Sequence, residues 1–552
     1  MNSKFRRFGL AAFPALFLCA APDGPAPPTV ALWGITNLAS RMPPQLAGGR
    51  IAQGSLFRVT GWRLGPPLAA RAASATLEHS LAGSEIRIRQ GQTAVSAWPV
   101  LTSAEEMQAV MPSDAPLGDA ELIVIRDGQA SRPAPVRIVE ASFGAFSRNG
   151  HGWGPGEIWN SDGRPNTLQN PARPGETVRM AGTGLGPADG RDQLAHRAPV
   201  RSLPAVTAGG KSVTAVQWAG RDAGQPGADE LEFTLPTDVP EGCYVPVQTR
   251  TGQNTYSNSV TLAVSREGRP CADRPGVDSG RSATVSLVHL DLIILLGAKS
   301  KADFHTDLGY ADFRAGAGEA ANPIYLFPPS GTCTGYTGFI RTHDLFTPLE
   351  KLSAGDSLDA GESIAITGPG GERSLTRKNK ANALYTSVLG GSTPLPMREP
   401  LPLFLRPGDY RIDVPGGPAI APFGANVRVE QTIRWKNRDS ASVVDRLQGS
   451  TVHWKAARPD DLIVIAAMNA FSPGDAVATC FCAARGSDGH FFIPPYALAN
   501  LPASRPGQGN LPLNLLFLAE IHRTDPQGPA PGSLAALTLA SVSASGRTVR
   551  FR

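Results

Sequence analysis

Between residues 50 and 265 the chain alternates short apolar runs with breaks centred on Gly and Pro. In AELIVIR (120–126), Leu122 and Val124 interleave with Ile123 and Ile125, a nearly continuous apolar run of the kind a sandwich-core strand carries. QGQTAVSAW (90–98) and GGKSVTAVQW (209–218) each read as a Gly turn followed by a strand ending in Trp. The texture persists downstream in LDAGESIAITGPGG (358–371), LFLRPGDYRIDVPGG (403–417) and STVHWKA (450–456). Even the most apolar downstream run, VSLVHLDLIILLGA (285–298), carries His289 and Asp291 and is too short to span a bilayer, so it predicts a strand.

The pattern is also written twice. GSLFRVTGWRLGPPLA (54–69) and GETVRMAGTGLGPADG (175–190) share Gly54/Gly175, Arg58/Arg179, Gly61/Gly182, Leu64/Leu185, Gly65/Gly186 and Pro66/Pro187 at a constant offset. MPSDAPLGDAELIVIRDGQ (111–129) and LPTDVPEGCYVPVQTRTGQ (235–253) continue the match, sharing Pro112/Pro236, Asp114/Asp238, Pro116/Pro240, Gly118/Gly242 and Gly128/Gly252. A unit of this length is the size of one immunoglobulin-like sandwich, and two copies imply a duplicated domain. The expected fold is all-β, with tandem immunoglobulin-like β-sandwich domains over 28–140 and 141–266 and two further β-sandwiches over 275–424 and 425–552.

Composition supports packed strands over disorder. Gly (60) and Pro (50) are abundant, yet 41% of residues are apolar and only 18% charged. The formal charge of +5 includes Lys4, Arg6 and Arg7, which fall in the segment MNSKFRRFGLAAFPALFLCAA. That segment has the basic start, apolar middle and small-residue end of a signal peptide, expected over 1–21. Without it the charge is small, which excludes a nucleic-acid footprint. The mature chain is expected to be secreted or held at the cell surface, with no transmembrane segment. Leu18 precedes Cys19 where a lipidation site wants a small residue.

Blocks 54–139 and 141–264 resemble the repeat of a large paralogous family of exported acidobacterial (Solibacter-type) proteins that carry IPT/TIG-like immunoglobulin domains. The residues that carry the resemblance are Pro174-Gly175-Glu176-x-Val178, Gly182-x-Gly184-Leu185-Gly186, Asn160-Ser161-Asp162-Gly163, Asn166 and Pro171-Ala172. VTAGGKSVTAVQWAG (206–220) and SNSVTLAVS (257–265) complete it. The second copy matches better; Trp62 and Arg63 depart from the pattern in the first. GTCTGYTG (331–338) and GHFFIPPYALANLPAS (489–504) are similar to segments that follow these repeats in the same family. The resemblance implies a fold and a surface location, and no chemistry.

In an exported chain the cysteines are expected to pair. Cys243 and Cys271 would pin the linker after the second sandwich to that sandwich. Cys333 is expected to pair with Cys482, since both lie in or near the family-like segments, leaving the role of Cys480 open. Cys480 and Cys482 share a strand face, but a zinc site needs a fourth ligand and a different spacing.

No catalytic residue, cofactor site or metal site is assigned. Gly355-Asp356-Ser357-Leu358 spells an esterase signature, but a serine needs a base. His490 and His522 lack an Asp three residues upstream, where Ser487 and Ala519 stand. The string therefore predicts a turn. Asp303, His305 and Asp307 would share one strand face near His289 and Asp291; the choice lies between a divalent metal site and a polar, solvent-facing edge, and the edge is favoured. His343-Asp344 and the basic group Arg373, Arg377, Lys378 and Lys380 read as loop decoration. The loop GHGWGPGEIWNSDGRPN (150–166) offers His151, Trp153 and Trp159 as a ligand-binding platform for sugar rings, unless Trp159 is a core plug. The function expected is therefore a non-enzymatic binding, adhesion or spacer module whose partner is a polysaccharide or a surface protein. The alternative is a secreted hydrolase or carbohydrate-active protein with its site in the C-terminal half.

Overall fold

The computed structural model describes residues 26–74, 76–271, 280–295, 301–315, 328–339, 356–377, 384–392, 400–430, 432–470, 476–504, 513–524 and 533–552. The first glycine-bounded unit forms β1 (Thr29–Asn37), β2 (Leu56–Trp62), β3 (Ser84–Gln90), β4 (Trp98–Thr102), β5 (Glu106–Val110), β6 (Gly118–Arg126) and β7 (Ala134–Val139). Alternation decides which side chain goes where. On β2, Phe57 and Val59 enter the core with Met107, Ile86, Ile88, Leu122 and Val124, while Arg58, Thr60 and Trp62 face outward. One sheet runs β1-β2-β5-β4 and the facing sheet carries β7-β6-β3.

The second unit forms β8 (Thr177–Thr183), β9 (Ala205–Ala208), β10 (Val216–Arg221), β11 (Asp229–Thr234), β12 (Gly242–Thr251) and β13 (Val260–Val264). Its sheets contain β8-β11-β10 and β13-β12-β9, the same order as β2-β5-β4 and β7-β6-β3. The doubled text is therefore a doubled immunoglobulin-like sandwich. The shared glycines have conformational reasons. Gly54 and Gly175 both sit at positive φ (70° and 80°), where a side chain would strain the turn into the strand. Gly182 admits no Cβ, which would lie 2.1 Å from the Phe143 ring.

The two sandwiches meet along a buried seam. Leu56, Val110, Leu77 and Ala228 form a small apolar cluster between them, with Phe146 and Trp98 packed on it. Leu56 N–H donates to Thr183 Oγ1 (2.7 Å), and Asn37 Nδ2 donates to Thr183 O (3.2 Å). Asp229, fully buried, accepts from Gly184 N–H (2.6 Å) and Leu185 N–H (2.8 Å) and pairs with the buried Arg221. Asp192 completes the group, 3.9 Å from Arg221 and bonded by Ser113 N–H and Oγ of the first sandwich (2.7 and 2.6 Å).

The second half is built differently from the expectation. Its strands are β14 (Arg281–Leu295), β15 (Lys301–Ala315), β16 (Cys333–Phe339), β17 (Ser363–Gly368), β18 (Gly371–Arg377), β19 (Leu384–Gly391), β20 (Gly408–Val414) and β21 (Phe423–Val429), followed by β22 (Leu462–Ala470), β23 (Ala476–Arg485), β24 (Leu513–Thr524) and β25 (Ala536–Thr548). They lie in one continuous sheet ordered β16-β23-β22-β24-β25-β14-β15-β19-β18-β17-β20-β21. The division expected at residues 424 and 425 falls inside β21, and the sheet runs on across it. The reason is the length of β14 and β15, fifteen residues each, and of β25: β14 pairs with β15 along its whole length and with β25 in parallel from Ser282↔Ala536 to Ile293↔Arg547.

Two cores nevertheless form on this sheet. One, around Phe313, Tyr385, Phe404 and Tyr410, draws on residues up to Val429 and borrows Leu534, Leu537 and Leu539 from β25 and its approach. The other, around Trp435, Trp454 and Phe551, borrows Cys333 from β16 and also takes Met42 and Leu46 from the first sandwich. No described helix is long and apolar enough to cross a membrane.

Candidate functional sites

The hairpin of β14 and β15 gathers the polar residues that the spacing put on one face. His289 stands opposite Asp307 and Asp291 opposite His305. His289 Nδ1 lies 2.7 Å from Asp307 Oδ1, and Asp291 Oδ1 lies 3.3 Å from His289 Nε2 and 2.5 Å from His305 Nδ1. The expected solvent-facing edge is thus corrected in part. Asp307 is fully buried, its Oδ2 accepting from Phe404 N–H (2.6 Å) and Leu405 N–H (2.8 Å), while His305 and Asp303 are exposed. A buried carboxylate must be satisfied from several directions, and here two backbone amides and one imidazole do so. Asp303 lies on the same strand beside Lys301 (3.6 Å).

Asp291 and Asp307 together raise His289 to a pKa of about 9, against the opposing effect of burial. His289 and His305 hold Asp291 below the usual carboxylate range although burial opposes them. A histidine whose folded pKa is raised contributes stability that is fully present below its ordinary value near 6.5 and lost as pH rises through about 9. The second half is therefore expected to lose about 2–3 kcal/mol between pH 6.5 and 9.5. Melting curves of the wild type and His289→Gln should converge over that window; parallel curves would remove the linkage.

The cysteines close two bridges, Cys243–Cys271 and Cys333–Cys482. Cys333 and Cys482 are direct cross-strand neighbours on β16 and β23. Cys480 is a buried free thiol with its Sγ 3.7 Å from that of Cys482, and burial alone pushes its pKa up to about 12. Among the described residues, the one grouping of three potential ligand atoms within 4.8 Å of one another is Cys333, Cys480 and Cys482, two of which are committed to the bridge.

The loop expected to present sugar-binding tryptophans does not do so. Trp153 is only 7% exposed and wedges edge-on against Tyr336 of β16 (6.2 Å), which in turn meets Phe481 of β23 (5.7 Å). Apolar burial between the second sandwich and the long sheet outweighs exposure in a Gly-rich loop. Trp159 is half-buried under the Arg179 guanidinium, 4.7 Å from the ring. His151 is exposed and stacks on Trp153; burial and the nearby Arg41 charge lower its pKa.

Ser357 lies in a two-residue strand opposite Arg314, and among the described residues no histidine bonds to it. Gly355, His343, Asp344, Lys378 and Lys380 lie outside the described residues. Arg373 is drawn to Leu389 O and the Phe404 ring, and Arg377 to Asp359 (2.6 Å), so neither is a free loop charge.

One group escaped the sequence reading. Arg58, on the outer face of β2, pairs with Glu106 (2.6 Å), and Gln108 Nε2 donates to Glu106 Oε1 (2.7 Å). Arg41 comes to the same place from the turn after β1. The identity of Arg58 with Arg179 across the repeat was the available signal; nothing in the pattern linked Arg41 to either.

No protein-family model matches the chain, and no characterised protein sequence matches it. Among solved structures it is similar to SGBP-B from a complex xyloglucan utilization locus in Bacteroides uniformis, at 12% identity over 85% of this chain and 97% of that one, with a TM-score of 0.17. Domains 5-6 of the S-layer protein SbsC match at 10% identity over 43% of this chain and 98% of that one (TM-score 0.16). Titin domains I67-I69 match at 8% over 73% and 98% (TM-score 0.13). The strand order described above, and not these likenesses, defines the all-β, tandem immunoglobulin-like fold.

Proposed function

We propose that this chain is an exported, non-catalytic multidomain β protein that presents a rigid array at or beyond the cell surface as a binding or spacer module. The observation that carries the reading is where the titratable groups go: Asp229, Asp307 and Glu520 are buried and bonded by backbone amides of neighbouring segments. Groups held this way join pieces of chain, and among the described residues none of these three is oriented toward a nucleophile. The two disulfides suit an oxidising compartment. The signal segment 1–21 and the resemblance to exported acidobacterial proteins with IPT/TIG-like domains support the location.

The test is expression of the full chain in an export-competent bacterium. The secreted product should start after Ala21, carry one free thiol and release no product from ester or polysaccharide substrates. Turnover abolished by His289→Gln would replace this reading with that of a hydrolase whose site lies in the second half. A product retained in the cytosol with all thiols free would remove the exported role.

A further inference from the structure

The two sandwiches offer an internal comparison at one position. In the second copy Arg179 of β8 pairs with Glu230 of β11 (3.0 Å), and the Trp159 ring covers its guanidinium at 4.7 Å. One cation meets one anion under a lid. In the first copy the corresponding pair is Arg58 of β2 with Glu106 of β5, and among the described residues no such ring covers it. A second guanidinium, Arg41, stands there instead, near enough for the two positive charges to repel.

Arg41 is half-buried, and among the described residues its guanidinium has no hydrogen-bond or ion-pair partner. The Nε atoms of both Arg41 and Arg58 are buried and unbonded. Desolvation and the Arg58 charge, only partly offset by Glu106, lower the Arg41 pKa. One carboxylate beside two guanidinium groups leaves a positive charge over, and the Nη atoms of Arg41, unbonded among the described residues and not buried, suit an additional oxyanion. Gly150 of the second sandwich borders the same place, its Cβ position 3.9 Å from Arg41 Nη2.

The surface beside these arginines narrows the class of ligand. Arg58, Thr60 and Trp62 alternate onto one outer face of β2, so Trp62 lies four residues, roughly 13 Å, from Arg58. Trp62 is 57% exposed, whereas the equivalent residue of the second copy, Thr183, is buried in the seam. On β1 a bulge between Val30 and Ile35 presents Trp33, 37% exposed, at a φ of 60° that a bulky residue adopts only under strain. Carboxylates alternating with flat, weakly apolar ring faces are the chemistry of a uronic-acid polymer.

We propose that the outer face of the first sandwich binds an acidic polysaccharide, a uronate carboxylate bonding to Arg41 and Arg58 while a sugar ring rests on Trp62. The proposal rests on the exported, non-catalytic reading only in requiring this face to meet extracellular polymer.

The test titrates the intact mature protein with an oligogalacturonate, its methyl ester and inorganic phosphate. The wild type should bind the free acid, bind the ester roughly tenfold or more weakly, and lose affinity as salt is raised. Arg41→Gln should weaken binding of the free acid roughly tenfold or more with an unchanged melting temperature, because among the described residues the Arg41 guanidinium bonds to nothing. Trp62→Ala should weaken it as well, and Arg179→Gln, the equivalent arginine of the second copy, should leave it unchanged. Equal affinity in Arg41→Gln, equal binding of the ester, or phosphate binding as tight as the oligomer would overturn the assignment. Absence of binding with the oligomer intact overturns the site alone; shortening of the oligomer overturns the non-catalytic reading.

Discussion

Asp229→Ala is expected to destabilise the joined N-terminal sandwiches by about 3–5 kcal/mol, because it strands Arg221 in a buried seam with its nearest remaining carboxylate 3.9 Å away. The same change frees the amides of Gly184 and Leu185, which hold the Gly182-x-Gly184-Leu185-Gly186 turn in place. Asp229→Asn keeps one acceptor for those amides and should lose roughly half as much. Urea unfolding of the intact chain, followed by amide exchange across 177–185, separates the two effects. Wild-type protection in Asp229→Ala would show that the ion group does not join the sandwiches. Gly54→Ala should resemble Asp229→Ala in kind, since its Cβ would lie 2.0 Å from Arg221 Nη2.

The second large effect concerns the bridge across β16 and β23. Cys333 and Cys482 are 149 residues apart, and a cross-link closing a loop of that length contributes about 5 kcal/mol in the chain-entropy model. Cys333→Ser should lose all of it. Cys482→Ser should lose less, because Cys480 on the same face lies within 4.8 Å of Cys333 and can oxidise with it instead. Thiol counting distinguishes the two: Cys333→Ser should show two free thiols and air-oxidised Cys482→Ser none. Equal losses in both variants would mean that Cys480 cannot reach Cys333 as a partner.

What the sequence made legible follows from the range of the interactions involved. Gly54 and Gly175 could be read as paired turns because a positive φ is a local demand, met by one residue type. The polar face of His289, Asp291, His305 and Asp307 was visible because strand alternation fixes which side chains share a side. That Asp307 would be fully buried was not visible, since its partners Phe404 and Leu405 arrive from about a hundred positions away. Trp153 was misplaced for the same reason: a Gly-rich loop looks exposed until Tyr336 closes over it. The break at 425 rested on texture, and texture cannot say that β14 will pair with β25. Arg41 carried no periodic signal at all, because it lies in a turn and acts on a strand of another register.

The position of β25 bears on how the protein is made. Residues 536–548 slot between β14 and β24, so the middle of the broad sheet stays open until the ribosome has delivered them. Until then two long apolar edges have no neighbour, a slow and aggregation-exposed route if it ran inside the cell. A sheet whose middle strand follows its partner β14 so far along the chain closes late, and the chain stays threadable until that strand arrives.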